Sequence, residues 1–133
     1  MWGGNQLRPY KGLKPSDEPI GKRWEVSAVP NSTSIIAIGE LKERDLIAVI
    51  NEQPDTILGK KVYEKYKGKL PLLVKFIDAI RDQSIQVHPN DEMAMHEHGK
   101  MGKSEMWYVI KAEEWAHLYA GFKQEITPYE YKK

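Results

Sequence analysis

The 133-residue sequence lacks cysteine and has no long apolar run. Without cysteine it can form neither a disulfide framework nor a thiolate metal site, so any bound metal must use nitrogen and oxygen ligands. No stretch approaches the roughly 20 consecutive apolar residues of a membrane-spanning helix. The N-terminal residues MWGGNQLRPYKG also lack the apolar region of a signal peptide. We therefore expect a soluble, cytoplasmic protein with no membrane partner.

A strong charge of either sign is also missing. The 20 basic and 19 acidic residues give a net charge of +1 with histidine neutral, and both signs are spread along the chain. Nucleic-acid-binding proteins usually carry a concentrated basic surface, so we expect no nucleic-acid partner. The length is that of one domain, and we predict that residues 1–133 form a single domain.

Short β-like segments outnumber helical ones in this sequence. Alternating, β-branched or mostly apolar runs predict strands, and the predicted strands cover residues 24–29, 34–38, 71–80, 84–89, 104–112 and 115–122. Helical patterns cover residues 41–50, 56–58 and 91–97. With no internal repeat, this order predicts a mainly β fold, either a sandwich or a barrel, with short helical insertions.

The C-terminal residues carry the start of a helix. Thr127 occupies an N-cap position, Pro128 the first helical position, and Glu130 lies three residues after the cap. The sequence stops at Lys133, before one full turn can follow. We therefore predict that residues 1–133 are an incomplete part of a larger protein, against the alternative that TPYEYKK is a polar tail.

The segment SIQVHP, residues 84–89, has one polar face if it is a strand. Alternate side chains of a strand share a face, so Ser84, Gln86 and His88 project together. In the segment KSE at residues 103–105, Lys103 and Glu105 share a face in the same way. If the two faces line one cavity, an imidazole, a carboxylate and a carboxamide oxygen could bind zinc or a related divalent ion. A polar strand face that simply meets solvent is the alternative.

Lys75 lies in the middle of the apolar run PLLVKFIDAI. A lysine in such a run is costly unless its ammonium group has a partner or reaches water. A functional role and a side chain that extends to the solvent at a strand edge both fit this pattern.

A competing metal candidate is the pair His96 and His98 with Glu105 downstream. We predict that this pair is solvated rather than a metal site, because the two histidines fall in a short helical turn and a loop and need not share a face.

Five motifs carry a resemblance to a known family, and their order and spacing are specific. They are WGG at 2–4, EPIGKRWEVSAVPN at 18–31, PLLVKFIDA at 71–79, SIQVHPNDE at 84–92 and GKSEMWYVI at 102–110. Together they resemble type I mannose-6-phosphate isomerase, also called phosphomannose isomerase. The resemblance implies a cupin-type (jelly-roll) β-barrel, complete or partial. It also implies an aldose-ketose isomerase that interconverts mannose 6-phosphate and fructose 6-phosphate.

The resemblance also implies roles for particular residues. Gln86, His88 and Glu105 would hold one Zn²⁺. Lys103 would be catalytic and, together with Lys75, would line the cavity for a phosphosugar substrate.

Ser84 would lie at the edge of that cavity. The segment HEHG corresponds to a family segment that usually reads HENG, so His96 and His98 are not implied as ligands.

The sequence also departs from the family. Relatives are longer, and their remaining zinc histidine and an active-site arginine lie beyond residue 133, so no fourth zinc ligand is found in this chain. This departure leaves an alternative, a catalytically incomplete cupin-like module with a sugar-binding or structural role. A barrel that lacks some of its strands would expose unpaired sheet edges, through which the chain could self-associate.

Overall fold

The computed structural model describes residues 2–131. Within it the chain divides into two compact units, Met1–Gln83 and Ser84–Lys133, and each is described by itself. The helices are α1 Leu7–Tyr10, α2 Leu46–Glu52, α3 Pro54–Leu58, α4 Lys60–Tyr66, α5 Asp91–His98 and α6 Pro128–Tyr131. The strands are β1 Lys22–Val26, β2 Ala28–Val29, β3 Ser32–Thr33 and β4 Val74–Ile77. None of the described helices is both long enough and apolar enough to cross a membrane.

The larger sheet of the first unit pairs β1 with β4 in antiparallel orientation. Trp24 lies opposite Lys75, and the register shifts by one residue between Trp24 and Val26. A strand within PLLVKFIDAI was predicted and is confirmed. Burial on both faces, which an apolar run of this kind favours, is not observed: Val74 is exposed and the other three residues of β4 are half-buried.

Residues 2–4 form backbone hydrogen bonds with residues 78–80, which directly follow β4. Gly3 forms an antiparallel bridge with Ala79, the N–H of Gly4 donates to the carbonyl of Asp78, and the N–H of Ile80 donates to the carbonyl of Trp2. We call this set of contacts the N-terminal clasp. A side chain at Gly3 would place its Cβ only 2.6 Å from the Cα of Gly21, so two backbones meet where glycine alone fits.

The smaller sheet is a tight hairpin of β2 and β3. Proline and asparagine occupy its two turn positions, and Asn31 has a φ of 62°, a positive value that asparagine tolerates better than most residues. The strand predicted over residues 34–38 is not formed. Only an isolated bridge between Ile35 and Asp45 is present, with adjoining backbone hydrogen bonds.

Three consecutive helices follow this hairpin in the first unit. Helix α2 begins later than predicted, because Asp45 caps it by accepting a hydrogen bond from the N–H of Ala48 at 2.9 Å. Val49 and Ile50 of α2 are buried. The predicted stop of the next helix at Gly59 is confirmed, since α3 ends there at a φ of 75°.

The second unit contains the two predicted C-terminal helices. Asn90 caps α5, where its side chain accepts a hydrogen bond from the N–H of Met93 at 2.9 Å. At α6 the backbone N–H and the hydroxyl of Thr127 both donate to Oε2 of Glu130 at 2.8 Å. These bonds hold the pKa of Glu130 below its ordinary value. The capping pattern read from the sequence is therefore confirmed.

The strands predicted at residues 84–89, 104–112 and 115–122 are not formed in the second unit. A strand needs a neighbouring ladder of hydrogen bonds, and no other segment among residues 84–131 provides one. Helices hold more residues than strands do over residues 2–131, so the expectation of a mainly β fold is confirmed only in part. Small antiparallel sheets are present, and the described residues close no barrel.

Candidate functional site

Two side chains of the second unit, those of His88 and Lys103, meet at the carboxylate of Glu105. Oε2 of Glu105 lies 3.5 Å from Nε2 of His88, and Oε1 lies 3.0 Å from Nζ of Lys103. We call these three residues the Glu105 cluster. The side chains of His88 and Glu105 are 26% and 33% exposed, so the pair is open to small ligands while it is partly shielded from water. The structure thus brings together an imidazole, a carboxylate and an ammonium group from two separate sequence motifs.

Backbone contacts at the start of α5 hold the Glu105 cluster in place. The N–H of Gly102 donates to Oδ1 of Asp91 at 2.8 Å, and the N–H of Lys103 donates to the carbonyl of Pro89 at 3.2 Å. Pro89 directly follows His88. These two bonds therefore fix the separation between the segment that carries His88 and the segment that carries Lys103 and Glu105.

Gly102 allows the two segments to approach this closely. A Cβ at this position would lie 2.4 Å from the carbonyl carbon of Asn90 and 2.5 Å from the nitrogen of Asp91, distances that real Cβ atoms essentially never show. Neither Gly102 nor Asp91 was predicted as a positioning residue. The signal was present in the sequence, because a glycine just before a proposed ligand strand often marks a close backbone approach.

Gln86 and Ser84, two other predicted site residues, contact each other. The Nε2 group of Gln86 donates a hydrogen bond to Oγ of Ser84 at 3.4 Å, and both residues are exposed. Side chains two positions apart therefore point to the same side, as an extended backbone requires.

Lys75 is the one predicted site residue that belongs to the first unit. It is half-buried on β4, and its Nζ lies 6.0 Å from the centroid of the Trp24 ring, at the outer limit of a cation–π contact.

The two neighbouring histidines of α5 are exposed, as predicted. Because His96 and His98 are two residues apart on a helix, they do not share a face. His98 lies 3.9 Å from Oε2 of Glu97 and lines an open cleft of about 480 Å³ that also contains His88. The presence of His98 in this cleft was not predicted.

The donor pair His88 and Glu105 suits a zinc ion. Zinc lies roughly 2.0–2.2 Å from histidine nitrogen and carboxylate oxygen, so two such donors at a tetrahedral ion are about 3.4 Å apart. The observed 3.5 Å between Nε2 and Oε2 matches this separation. Within residues 2–131, no three histidine, aspartate or glutamate side chains form a group that could hold a metal ion. A third donor would therefore have to be of another type, such as the carboxamide oxygen of Gln86, or come from outside the described residues.

Comparisons with known proteins agree on one family. Residues 1–116 match the model for the phosphomannose isomerase type I catalytic domain. A probable mannose-6-phosphate isomerase, GmuF, from Bacillus subtilis is 37% identical over 95% of this chain and 41% of its own length. The mannose-6-phosphate isomerase of Streptococcus mutans is 36% identical over 91% of this chain and 37% of its own length.

Another relative matches over a shorter region. The mannose-6-phosphate isomerase of Escherichia coli is 38% identical over 67% of this chain and 23% of its own length. No solved structure matches the chain. The chain spans about two fifths of the length of the bacillar and streptococcal relatives. Because the family model covers most of its residues, the chain belongs to the type I phosphomannose isomerase family.

Proposed function

We propose that this chain supplies part of the active site of a zinc-dependent aldose-ketose isomerase that interconverts mannose 6-phosphate and fructose 6-phosphate. The observation that carries the proposal is the 3.5 Å contact between His88 and Glu105, inside the stretch matched by the catalytic-domain model. An imidazole and a carboxylate at this separation are a suitable donor pair for a Lewis-acidic ion.

In this proposal Gln86, His88 and Glu105 hold one Zn²⁺, and a fourth ligand comes from outside the described residues. The ion would supply positive charge near the sugar oxygens, where the negative charge of an enediolate develops. Glu105 can serve as a ligand through Oε2 because Lys103 engages the other oxygen, Oε1, at 3.0 Å. Such a contact fixes the orientation of a ligating carboxylate.

Lysine and serine side chains are the proposed contacts of the phosphosugar. Lys103 carries an ammonium group next to Glu105, where it can offset enediolate charge and exchange a proton with the sugar. Lys75 provides a second positive charge for the substrate phosphate, and Ser84 provides a hydroxyl at the edge of the cavity. We further propose that residues 1–133 belong to one cupin-type barrel domain. In that barrel the extended segments 84–89 and 104–112 would be strands, each paired with a neighbour.

The test measures zinc binding and isomerase turnover on the same purified protein. We expect the wild-type chain to bind one zinc ion per molecule, and both His88→Ala and Glu105→Gln to lose most of that binding. His96→Ala is the matched control, because it removes an exposed imidazole on α5 and should leave the zinc content unchanged. If His88→Ala binds zinc as tightly as the wild type does, the proposed metal site is wrong.

A second candidate function is phosphosugar binding without catalysis. It is favoured by the limited donor set of the described residues, in which no three histidine, aspartate or glutamate side chains form a group that could hold a metal ion. Zinc and mannose 6-phosphate binding with no turnover would support this alternative. Turnover by the purified chain that depends on added zinc would exclude it.

A further inference from the structure

The open cleft of about 480 Å³ is lined by helix α5 and by the segment that carries His88. Val87 and Pro89 of that segment also line it, on either side of the histidine in the sequence. Small-molecule sites usually have volumes of roughly 300–1,000 Å³, so the cleft is large enough to be one. Because His88 belongs both to this cleft and to the Glu105 cluster, a molecule in the cleft lies next to a proposed zinc ligand.

Helix α5 brings polar residues to the cleft at both of its ends. The cap residue Asn90, Met93 and Glu97 line the cleft at successive spacings of three and four positions, which place side chains on one side of a helix. At about 1.5 Å per residue, Glu97 lies roughly 10 Å along the helix from Asn90. His98 also lines the cleft, and its Nε2 lies 3.9 Å from Oε2 of Glu97. The helix thus contributes an amide at one end, a carboxylate beside an imidazole at the other, and an apolar side chain between them.

The polar groups of the cleft suit hydroxyl groups better than an anion. The carboxylate of Glu97 accepts hydrogen bonds, the neutral imidazole of His98 has one donor and one acceptor nitrogen, and the amide nitrogen of Asn90 donates. A sugar hydroxyl both donates and accepts, so neighbouring hydroxyls of a sugar ring match a carboxylate beside an imidazole. A phosphate group at the same place would meet the negative charge of Glu97 and is disfavoured there. The chemistry of this end of the cleft therefore selects the ring of a phosphosugar over its phosphate.

We infer that the cleft binds the sugar ring of the phosphosugar, with Glu97 and His98 as contacts for its hydroxyls and the phosphate directed away from Glu97. The apolar side chains of Val87 and Met93 contact the C–H groups of the ring. This inference rests on the proposed function, because the occupant is the sugar part of the proposed substrate. Neither Glu97 nor His98 belongs to the proposed set of zinc ligands, so both residues act on the substrate and not on the metal.

The first test follows the imidazole C–H resonances of the four histidines by NMR at constant pH. The probes are mannose, which has the hydroxyls without the phosphate, and inorganic phosphate. We expect mannose to shift the resonances of His88 and His98 and to leave those of His96 and His117 in place, because the latter two are exposed and do not line the cleft. Inorganic phosphate should leave His98 in place. If inorganic phosphate shifts His98 as much as mannose does, the cleft is an anion site and the inference is wrong.

The second test measures the affinity of Glu97→Gln and His98→Ala for mannose and for mannose 6-phosphate by calorimetric titration. Both residues are exposed, so the substitutions should leave the fold intact. We expect each variant to bind both sugars about three- to ten-fold more weakly than the wild type, the usual effect of weakening or losing one hydrogen bond. His96→Ala, on the same helix but outside the cleft, is the matched control and should bind both sugars as the wild type does.

Titrations with and without zinc separate failure of this inference from failure of the proposed function. Mannose binding that depends on His98, in a chain that binds no zinc, would support the cleft and refute the metal site. Zinc binding together with wild-type sugar affinity in both Glu97→Gln and His98→Ala would leave the metal site intact and overturn the inference. A wild-type chain that binds neither sugar would also overturn it. So would a loss of bound zinc in either variant, because Glu97 and His98 would then bind metal and not sugar.

Discussion

Replacing Gly102 with alanine should open the Glu105 cluster without touching any of its side chains. The new Cβ would lie 2.4 Å from the carbonyl carbon of Asn90, whereas ordinary van der Waals contact begins near 3.4 Å. The segment that carries Lys103 and Glu105 must therefore move by roughly 1 Å, and the hydrogen bond from Gly102 to Asp91 is stretched. Zinc sites tolerate errors of only about 0.2 Å in ligand distance, so the movement exceeds what the proposed zinc site could absorb.

The expected result has two parts. We expect Gly102→Ala to weaken zinc binding by about ten-fold or more, as changes to residues that orient metal ligands do. The free energy of unfolding should fall by about 1–3 kcal/mol, which is typical for a side chain forced into a packed position. Zinc affinity is measured by competition with a chelating dye, and stability by urea unfolding of the zinc-free protein.

Gly99→Ala is the matched control at the other end of the same helix. Gly99 has a φ of 61°, and a Cβ there would meet nothing within 4 Å. Alanine at this position should therefore cost about 1 kcal/mol of stability through backbone strain and leave zinc affinity unchanged. If Gly102→Ala binds zinc as tightly as Gly99→Ala, then the close approach at Gly102 does not position the site.

Two further predictions concern helix caps. The pKa of Glu130 is lowered in the folded chain, so its contribution to the start of α6 is present above the unfolded pKa of about 4.5 and is lost as the pH falls through the lower folded value. Thr127→Val should move the pKa of Glu130 part of the way back in an NMR titration, because the backbone N–H still donates; an unchanged pKa would contradict a role for the hydroxyl. Asn90→Ala should lower the free energy of unfolding, measured by urea unfolding, by about 1 kcal/mol. The reason is that α5 loses the hydrogen bond that the Asn90 side chain accepts from the N–H of Met93. Asn51→Ala, at an exposed position inside α2, should cost less, and equal losses would refute the capping argument.

Features that depend on neighbouring residues could be predicted from the sequence. The helix start at Thr127, the end of α3 at Gly59 and the helix following Asn90 each rest on one capping or turn-forming side chain and a few adjacent backbone groups. Such signals act within one turn and do not require the rest of the chain. The strand within PLLVKFIDAI was also predictable, because its partner β1 lies in the same unit.

Features that require a distant partner could not be predicted in the same way. Residues 84–89 and 104–112 have strand-like composition, but composition does not supply the neighbouring ladder that a strand needs. Alternation correctly predicted that Ser84 and Gln86 share a side. The contact between His88 and Glu105 depends instead on the close backbone approach at Gly102, which no periodicity reveals.

The N-terminal clasp has a consequence for how the protein is made. Residues 2–4 are synthesised nearly eighty residues before their partners at residues 78–80. At the usual rate of roughly 5–20 residues per second, residues 2–4 wait about 4–16 s on the ribosome for the backbone groups that will bind them. During this interval Trp2 and the two glycines that follow it are available to chaperones and proteases. The first unit therefore closes only when β4 and the residues that follow it have emerged, so the contacts of residues 2–4 are among the last of this unit to form.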